Sequence, residues 1–539
     1  MIRTLRVVLL SLSLLILPAV ASAQAGTIVA DSGFRPAVNG FPFSNYGGGN
    51  YKNLNAAEMQ RIFGRAACLT GKGARCVLNP GVRNWMESVN DSMDGGHCYG
   101  LSALSQYIYD EQLPRFGYSS LAAFGAPAIQ DLKIDDSVRL QRSIARAFAF
   151  QLLPSVADNA VRKSPREVLR FLIDNLDNNR GEAWNLMIFQ WGMEAGHAIT
   201  PYAIEDMGDG IYEIHVYDNN WPGDDSLRVT VDTKKNTWNY YASINPGVPA
   251  ARYAGNAKSL SLFLRPNKPA LGTQQCAYCI GRQARKSKYN QVSLSGSADQ
   301  HAHLLITDSK GRQTGYRNGK LVNQIPGAKV MHQASGGIEF AADGSIENIA
   351  DSPEPVYLVP KNLALRIRID GRGMTVQDRE QLGVVGPTFD ATIENVKMGP
   401  GKVAFATLSP KKQTLSMTGA RGESSPRVTF GAQSRNAAYR INVSALGATS
   451  KSTFFFAKKP KYQLLRIGKK NAGKQTWRVQ INKFGQQGQT NFFRNYTLRG
   501  RQVAFLYYGP LAAGKRAYVV IANADGSKVK LLKLKKVRG

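Results

Sequence analysis

The chain has 539 residues, 43% of them hydrophobic, and a formal net charge of +31 at neutral pH. That length exceeds what one hydrophobic core organises, so two to four domains are expected, and the apolar content excludes a wholly disordered chain. Beyond the first 20 residues no stretch approaches the roughly 20 apolar residues of a spanning helix, so no membrane span is expected.

Arg3 and Arg6 precede an apolar run at 7–20 and then Ala21-Ser22-Ala23. This pattern predicts a secretory signal peptide over 1–23, cleaved after about Ala23, and hence a secreted protein, extracellular or periplasmic. Residues 24–80 form an N-terminal segment that could serve as a pro-region. Export permits disulfides. Of the five cysteines, Cys68 and Cys76 flank a Gly-rich turn and Cys276 and Cys279 form C-A-Y-C. Two local bridges are expected, Cys68–Cys76 and Cys276–Cys279, and Cys98 is left over.

Cys98 lies in "GGHCYGLSALS", ahead of a helix predicted over 99–109 with an apolar stripe of Leu101, Leu104, Tyr107 and Ile108. A helix N-terminus stabilises a thiolate, and its free N–H groups donate to an oxyanion. The bland alternative is a thiol that merely packs the helix start. Further helices are predicted over 137–152 and after Ser164, where Pro165 and Glu167 complete a capping box. Strands follow at 186–191, 197–204, 212–217 and 227–231.

A thiolate nucleophile needs a base, and a group that orients the base. Among the six histidines, His97 neighbours Cys98 in sequence and would tend to point away. His197 opens a strand, "GHAITPYAIED", that turns at Met207-Gly208-Asp209-Gly210 into "IYEIHVYDNNWPG". If that turn centres the hairpin, paired positions sum to about 417. His197 then faces Asn220, with Asp218 as its diagonal neighbour, and a slip of one residue brings Asn219 round. His215 reads as structural. His301 and His303 share a strand face, but the sequence suggests no third ligand, so neither a metal nor a cofactor is expected.

In that order, "GGHCYGLS", "GHAITPYAI" and "VYDNNWPG" resemble the papain-like cysteine peptidase superfamily. The likeness is strongest to secreted bacterial members with β-rich C-terminal extensions, and it covers residues 80 to 250 or so. It implies Cys98 as nucleophile, His197 as general base and acid, and Asp218 as orienter, with Asn219 or Asn220 as substitutes. Tyr99 fits the aromatic that follows the nucleophile in the family. Where papain carries a glutamine oxyanion donor six residues before the nucleophile, this chain has Ser92, with Asn90 as the neighbouring amide. The implied substrate is a peptide or protein. The same triad order also serves amidases and transglutaminase-like acyltransferases.

The charge is uneven. Residues 391–539 hold 29 Lys and Arg but only Glu394, Glu423 and Asp525 as acids, whereas residues 1–280 are near neutral. Short alternating segments fill the chain after residue 290, with a tight turn at Ala524-Asp525-Gly526-Ser527. The predicted fold class is an α+β papain-like N-terminal domain followed by all-β, sandwich-type C-terminal domains. The catalytic domain would span 81–265, a linker 266–290, one β-sandwich 291–390, and strongly basic β structure 391–539. The basic region would bind anionic polysaccharide, lipopolysaccharide or another polyanion. Two functions are therefore expected in competition. One is a secreted cysteine peptidase or amidase tethered to an anionic envelope or matrix. The other is an envelope-binding or adhesion protein whose papain-like domain is inactive.

Overall fold

The computed structural model describes residues 26–537 except 49, 177–180, 191–192, 194, 242–251, 281–286, 298–300, 337, 341–345, 350–352, 410–413, 419–426, 435, 447–451, 457–463 and 470–473. The expected signal peptide lies outside the described residues. Among them, no helix is long and apolar enough to cross a membrane.

The first half is an α+β unit. Its longer helices are α1 (Ala56–Phe63), α2 (Pro80–Ser92), α3 (Cys98–Tyr109), α4 (Val138–Ala149) and α5 (Pro165–Asn175). Local chemistry starts them: Ser137 accepts from the Leu140 N–H, and α5 carries the Ser164–Glu167 capping box behind Pro165. The sheet strands are β1 (Thr27–Asp31), β2 (Trp184–Phe189), β3 (Gly196–Asp206), β4 (Ile211–Tyr217), β5 (Arg228–Asp232), β6 (Thr237–Tyr241), β7 (Arg252–Asn256) and β8 (Leu262–Pro266). They run in the order β8-β2-β3-β4-β5-β6-β7, and β1 pairs the far half of β3.

Helix α3 is buried on nearly every face, between the sheet and α4. A Cβ at Gly100 would stand 2.2 Å from the Ile144 carbonyl oxygen, so α3 and α4 cross at a backbone contact that only glycine allows. Polar ties fix α3 against β2 and β3. Ser102 Oγ lies 2.8 Å from both Asn185 Oδ1 and Thr200 Oγ1, and Gln106 Nε2 donates to Asn185 at 3.0 Å. The β3–β4 register pairs Thr200 with Tyr217 and Pro201 with Val216, as the centred turn predicts. A bulge then shifts the register by one toward the turn.

Both expected disulfides are present, Cys68–Cys76 and Cys276–Cys279, and Cys98 is a buried free thiol. The expected domain boundaries need correction. In the 24–80 segment, Phe41, Leu54, Met59, Ile62 and Phe63 are buried in the main core of the first half, so the described part packs as one body with that half. The expected linker at 266–290 contributes Ala270, Leu271 and Tyr278 to that same core, with Tyr278 stacked on Trp85 at 4.6 Å.

After residue 288 the described residues form strands joined by turns, with one short 3-10 segment at Gly509–Ala513. A ten-stranded and an eleven-stranded antiparallel sheet share one hydrophobic core, from Val292 through Ile367 and Val443 to Leu534. The boundary expected at 390/391 falls inside the strand Phe389–Met398, whose partners are Asp378–Gly386 on one side and Arg427–Gln433 on the other. The described strands thus make one two-layer unit rather than separate domains. The charge step misleads because added basic side chains such as Arg478 occupy outward positions and leave the inward alternation of Trp477, Val479 and Ile481 intact. Asn523 and Ser527 close the expected turn at 524–527.

The two halves join along α2. Asn84 Nδ2 donates to Asp390 Oδ1 at 2.6 Å and to Thr392 Oγ1 at 2.8 Å, and Arg440 pairs with Glu87 at 2.9 Å. Burial pushes the Asp390 carboxyl up to about 7, against the Asn84 hydrogen bond and the Arg440 charge. A carboxyl whose folded pKa is raised favours folding when protonated, and that contribution fades as pH climbs from about 4 to about 7. Asp390→Asn should therefore gain melting temperature relative to wild type as pH rises from 4 to 8. Parallel thermal melts across that range test this, and a constant difference would contradict it.

Candidate active site

Cys98 is the first residue of α3 and is wholly buried. The loop before it is anchored by His97, whose ring stacks on Tyr46. His97 Nδ1 lies 2.7 Å from the Tyr46 carbonyl and Nε2 lies 2.9 Å from Asn53 Oδ1. The ring is thus engaged away from Cys98, and burial lowers its pKa to about 4. His97 stays neutral at physiological pH.

His197 and Asp218 meet with Nε2 and Oδ1 2.6 Å apart, both side chains fully buried. Strand β4 ends at Tyr217, and Asp218 opens a turn closed by the Trp221 N–H on the Asp218 carbonyl. The Asp218 carboxylate also accepts from the Asn220 N–H at 2.8 Å and from the Tyr240 hydroxyl. Burial alone would raise its pKa, but the His197 charge and these donors hold it below the ordinary carboxylate value. For His197, burial favours the neutral ring. The Asp218 carboxylate and, after it, the Cys98 sulfur outweigh that and lift the pKa to about 10. The imidazolium therefore persists at neutral pH. Nδ1, the nitrogen not given to Asp218, makes no well-formed hydrogen bond, and the Cys98 sulfur lies near enough to the ring to raise its pKa.

Three of the sequence-selected residues thus come together. Asn220 joins them, its Nδ2 3.2 Å from His197 Nε2. Asn219 has a different role. Its Nδ2 donates to the carbonyls of Cys98 at 3.1 Å and Ala198 at 2.9 Å, tying the start of α3 to β3.

The expected oxyanion donors are displaced. Asn90 is spent on both backbone groups of Leu54, and Ser92 donates to the Ser88 carbonyl within its own helix. The side-chain amide beside Cys98 is that of Asn45. Its Oδ1 accepts the His97 N–H at 2.7 Å, and its Nδ2 acts as a donor close to the Cys98 N–H. Both donors meet one acceptor, the Ser335 carbonyl oxygen, at 3.1 Å from Asn45 Nδ2 and 3.3 Å from the Cys98 N–H. Asn45 lies 53 positions before Cys98 in a Gly-rich loop, where no periodicity marks it. Tyr240 carried a weak signal, since alternation in Thr237–Tyr241 puts Trp238 and Tyr240 on one buried face.

Away from this centre, His215 pairs with Glu205 at 2.9 Å across β3 and β4. His301 precedes the strand His303–Asp308 instead of lying on it. The third ligand that the sequence did not suggest is Glu354, which gathers with His301 and His303 so that their ligand atoms lie within 4.8 Å of one another. Glu354 Oε1 is taken by the Leu304 N–H and the Tyr357 hydroxyl, and Oε2 faces His303 at 2.9 Å. This trio borders a cavity of about 450 Å³ with Tyr316, Asp370 and Arg372. Imidazole and carboxylate donors of this kind could hold a divalent cation.

The His197 charge state tests the electrostatics without any assay of activity. In Asp218→Asn the larger raising group is gone and the Cys98 sulfur alone opposes burial, so the His197 pKa should fall from its wild-type value of about 10. Nitrogen chemical shifts of labelled histidine should show an imidazolium at pH 8 in wild type and a ring that loses its proton at lower pH in the variant. An unchanged titration midpoint would show that Asp218 does not set its state. Compared with known proteins, the chain matches no family model, no curated protein and no solved structure.

Proposed function

We propose that the chain is an exported cysteine-type peptidase or amidase of papain-like organisation, with Cys98 as nucleophile, His197 as proton carrier and Asp218 as orienter. One observation carries the reading: two donors, the Cys98 N–H and Asn45 Nδ2, converge on a single peptide carbonyl beside the thiol. A tetrahedral oxyanion requires that arrangement. Cys98 Sγ would add to the substrate carbonyl, and the charge would fall between these donors. The imidazolium would then protonate the leaving amine. Tyr240 and Asn220 act through Asp218 as positioning residues. Proteolysis of a denatured protein mixture should be lost by about a thousandfold or more in Cys98→Ser. Equal release of new N-termini by the wild type and this variant would remove the reading.

The two disulfides suit an oxidising compartment. The basic β unit is read as a tether to anionic envelope or matrix polysaccharide, with exposed Lys528, Lys530, Lys533, Lys535 and Lys536 at its C-terminal edge. At low ionic strength the full chain should be retained on a sulfated-polysaccharide column, and replacing these five lysines with glutamine should lower the salt needed to elute it. Unchanged elution would place the anion contact elsewhere.

A further inference from the structure

The carbonyl held at the nucleophile belongs to the chain itself. Residues 332–336, from the β unit, lie buried in the cleft of the first half. Their backbone is gripped at successive positions. Arg265 donates to the His332 carbonyl at 2.8 Å. Gln151 takes both sides of Ala334, accepting its N–H at 2.7 Å and donating to its carbonyl at 3.2 Å. Cys98 N–H and Asn45 share the Ser335 carbonyl, and Asn45 Nδ2 also donates to the Gly336 carbonyl at 2.8 Å. Gly336 has φ +58°, and a Cβ there would stand 2.0 Å from His197 Nδ1. The residue after the held carbonyl therefore lies directly against the imidazole nitrogen that is not given to Asp218.

We infer that the Ser335–Gly336 peptide bond is the enzyme's own first substrate, cut in cis by Cys98. The inference rests on the reading of Cys98 as a nucleophile and adds to it a defined bond. Small residues, Ala334 and Ser335, occupy the acyl side, and the leaving-side position has no room for a side chain. In the reaction Cys98 Sγ bonds to the Ser335 carbonyl carbon while the Cys98 N–H and Asn45 hold the oxyanion. The carbon–nitrogen bond to Gly336 then breaks, and His197 Nδ1 passes its proton to the departing Gly336 amine. Water, deprotonated by His197, hydrolyses the thioester. That step frees the thiol and leaves a carboxylate on Ser335. Both fragments should stay associated, because residues on either side of the cut, such as Val292, Leu304, Val443 and Leu506, share one core.

The full-length protein is purified and followed by intact mass and N-terminal sequencing, with Cys98 alkylation by iodoacetamide measured in parallel. The expected result is a new N-terminus at Gly336, at a rate independent of protein concentration, with the fragments co-eluting. Cys98→Ser, shown by its melt to be folded, should remain intact. Gly336→Ala, whose methyl collides with His197, should be cut at least about tenfold more slowly. Cleavage at this bond in folded Cys98→Ser would overturn the inference. So would a wild-type chain that stays whole while its Cys98 is alkylated faster than in His197→Ala, although the nucleophile reading would survive. A whole chain whose alkylation ignores His197 would overturn both.

Discussion

An ion pair with no solvent exposure is the constraint around which the rest of the site is arranged. Asp218 and His197 meet at 2.6 Å in the interior, where an unsatisfied charge costs several kcal/mol. The fold meets that cost with fixed donors. The turn after β4 aims the Asn220 amide at the carboxylate, and β6 brings the Tyr240 hydroxyl to its other oxygen. With its acceptors filled, the carboxylate stays ionised and keeps the imidazole charged. Removing any one donor would unbalance a carboxylate that has no exposure to bulk solvent.

The same economy of donors links the base to the thiol. Asn219, one residue beyond the carboxylate, ties the Cys98 carbonyl to β3. Asn45 accepts from the loop before Cys98 and reaches across the cleft. Helix α3 is itself held by Ser102 and Gln106 on the sheet side and by the glycine contact with α4. The helix start is thus located from several directions, which gives the thiol a fixed position.

The β unit is more than an appendage. Met331, Ala334, Val356 and Leu358 belong to the core of the first half, and residues 332–336 close the cleft over the thiol. The free backbone donors of the cleft therefore find acceptors within the chain, which accounts for a thiol that is buried instead of open to solvent. Arg265 strengthens this closure by bridging the Gln151 and His332 carbonyls.

Local rules make part of this arrangement legible in the amino-acid order. A thiol ahead of an apolar helix, a capping box at Ser164, two disulfides closed over short spans and a hairpin centred on a Gly-rich turn all depend on neighbours a few residues apart. The turn brings the His197 end of β3 back beside the end of β4 near Asp218, although a bulge between them, which the turn does not announce, sets the final register. Asn45, Tyr240 and Gln151 are not readable in that way. Each reaches the site across a long stretch of chain, and an Asn, Tyr or Gln in a loop or strand carries no pattern to announce its partner. The division at 390/391 fails for a related reason, since outward charge changes while inward alternation continues. The sequence by itself determined the pairings within single hairpins and helix starts, where chain connectivity limits the alternatives. Only the tertiary structure decided which amide faces the thiol and which peptide lies in the cleft, because those contacts are chosen by packing between distant segments.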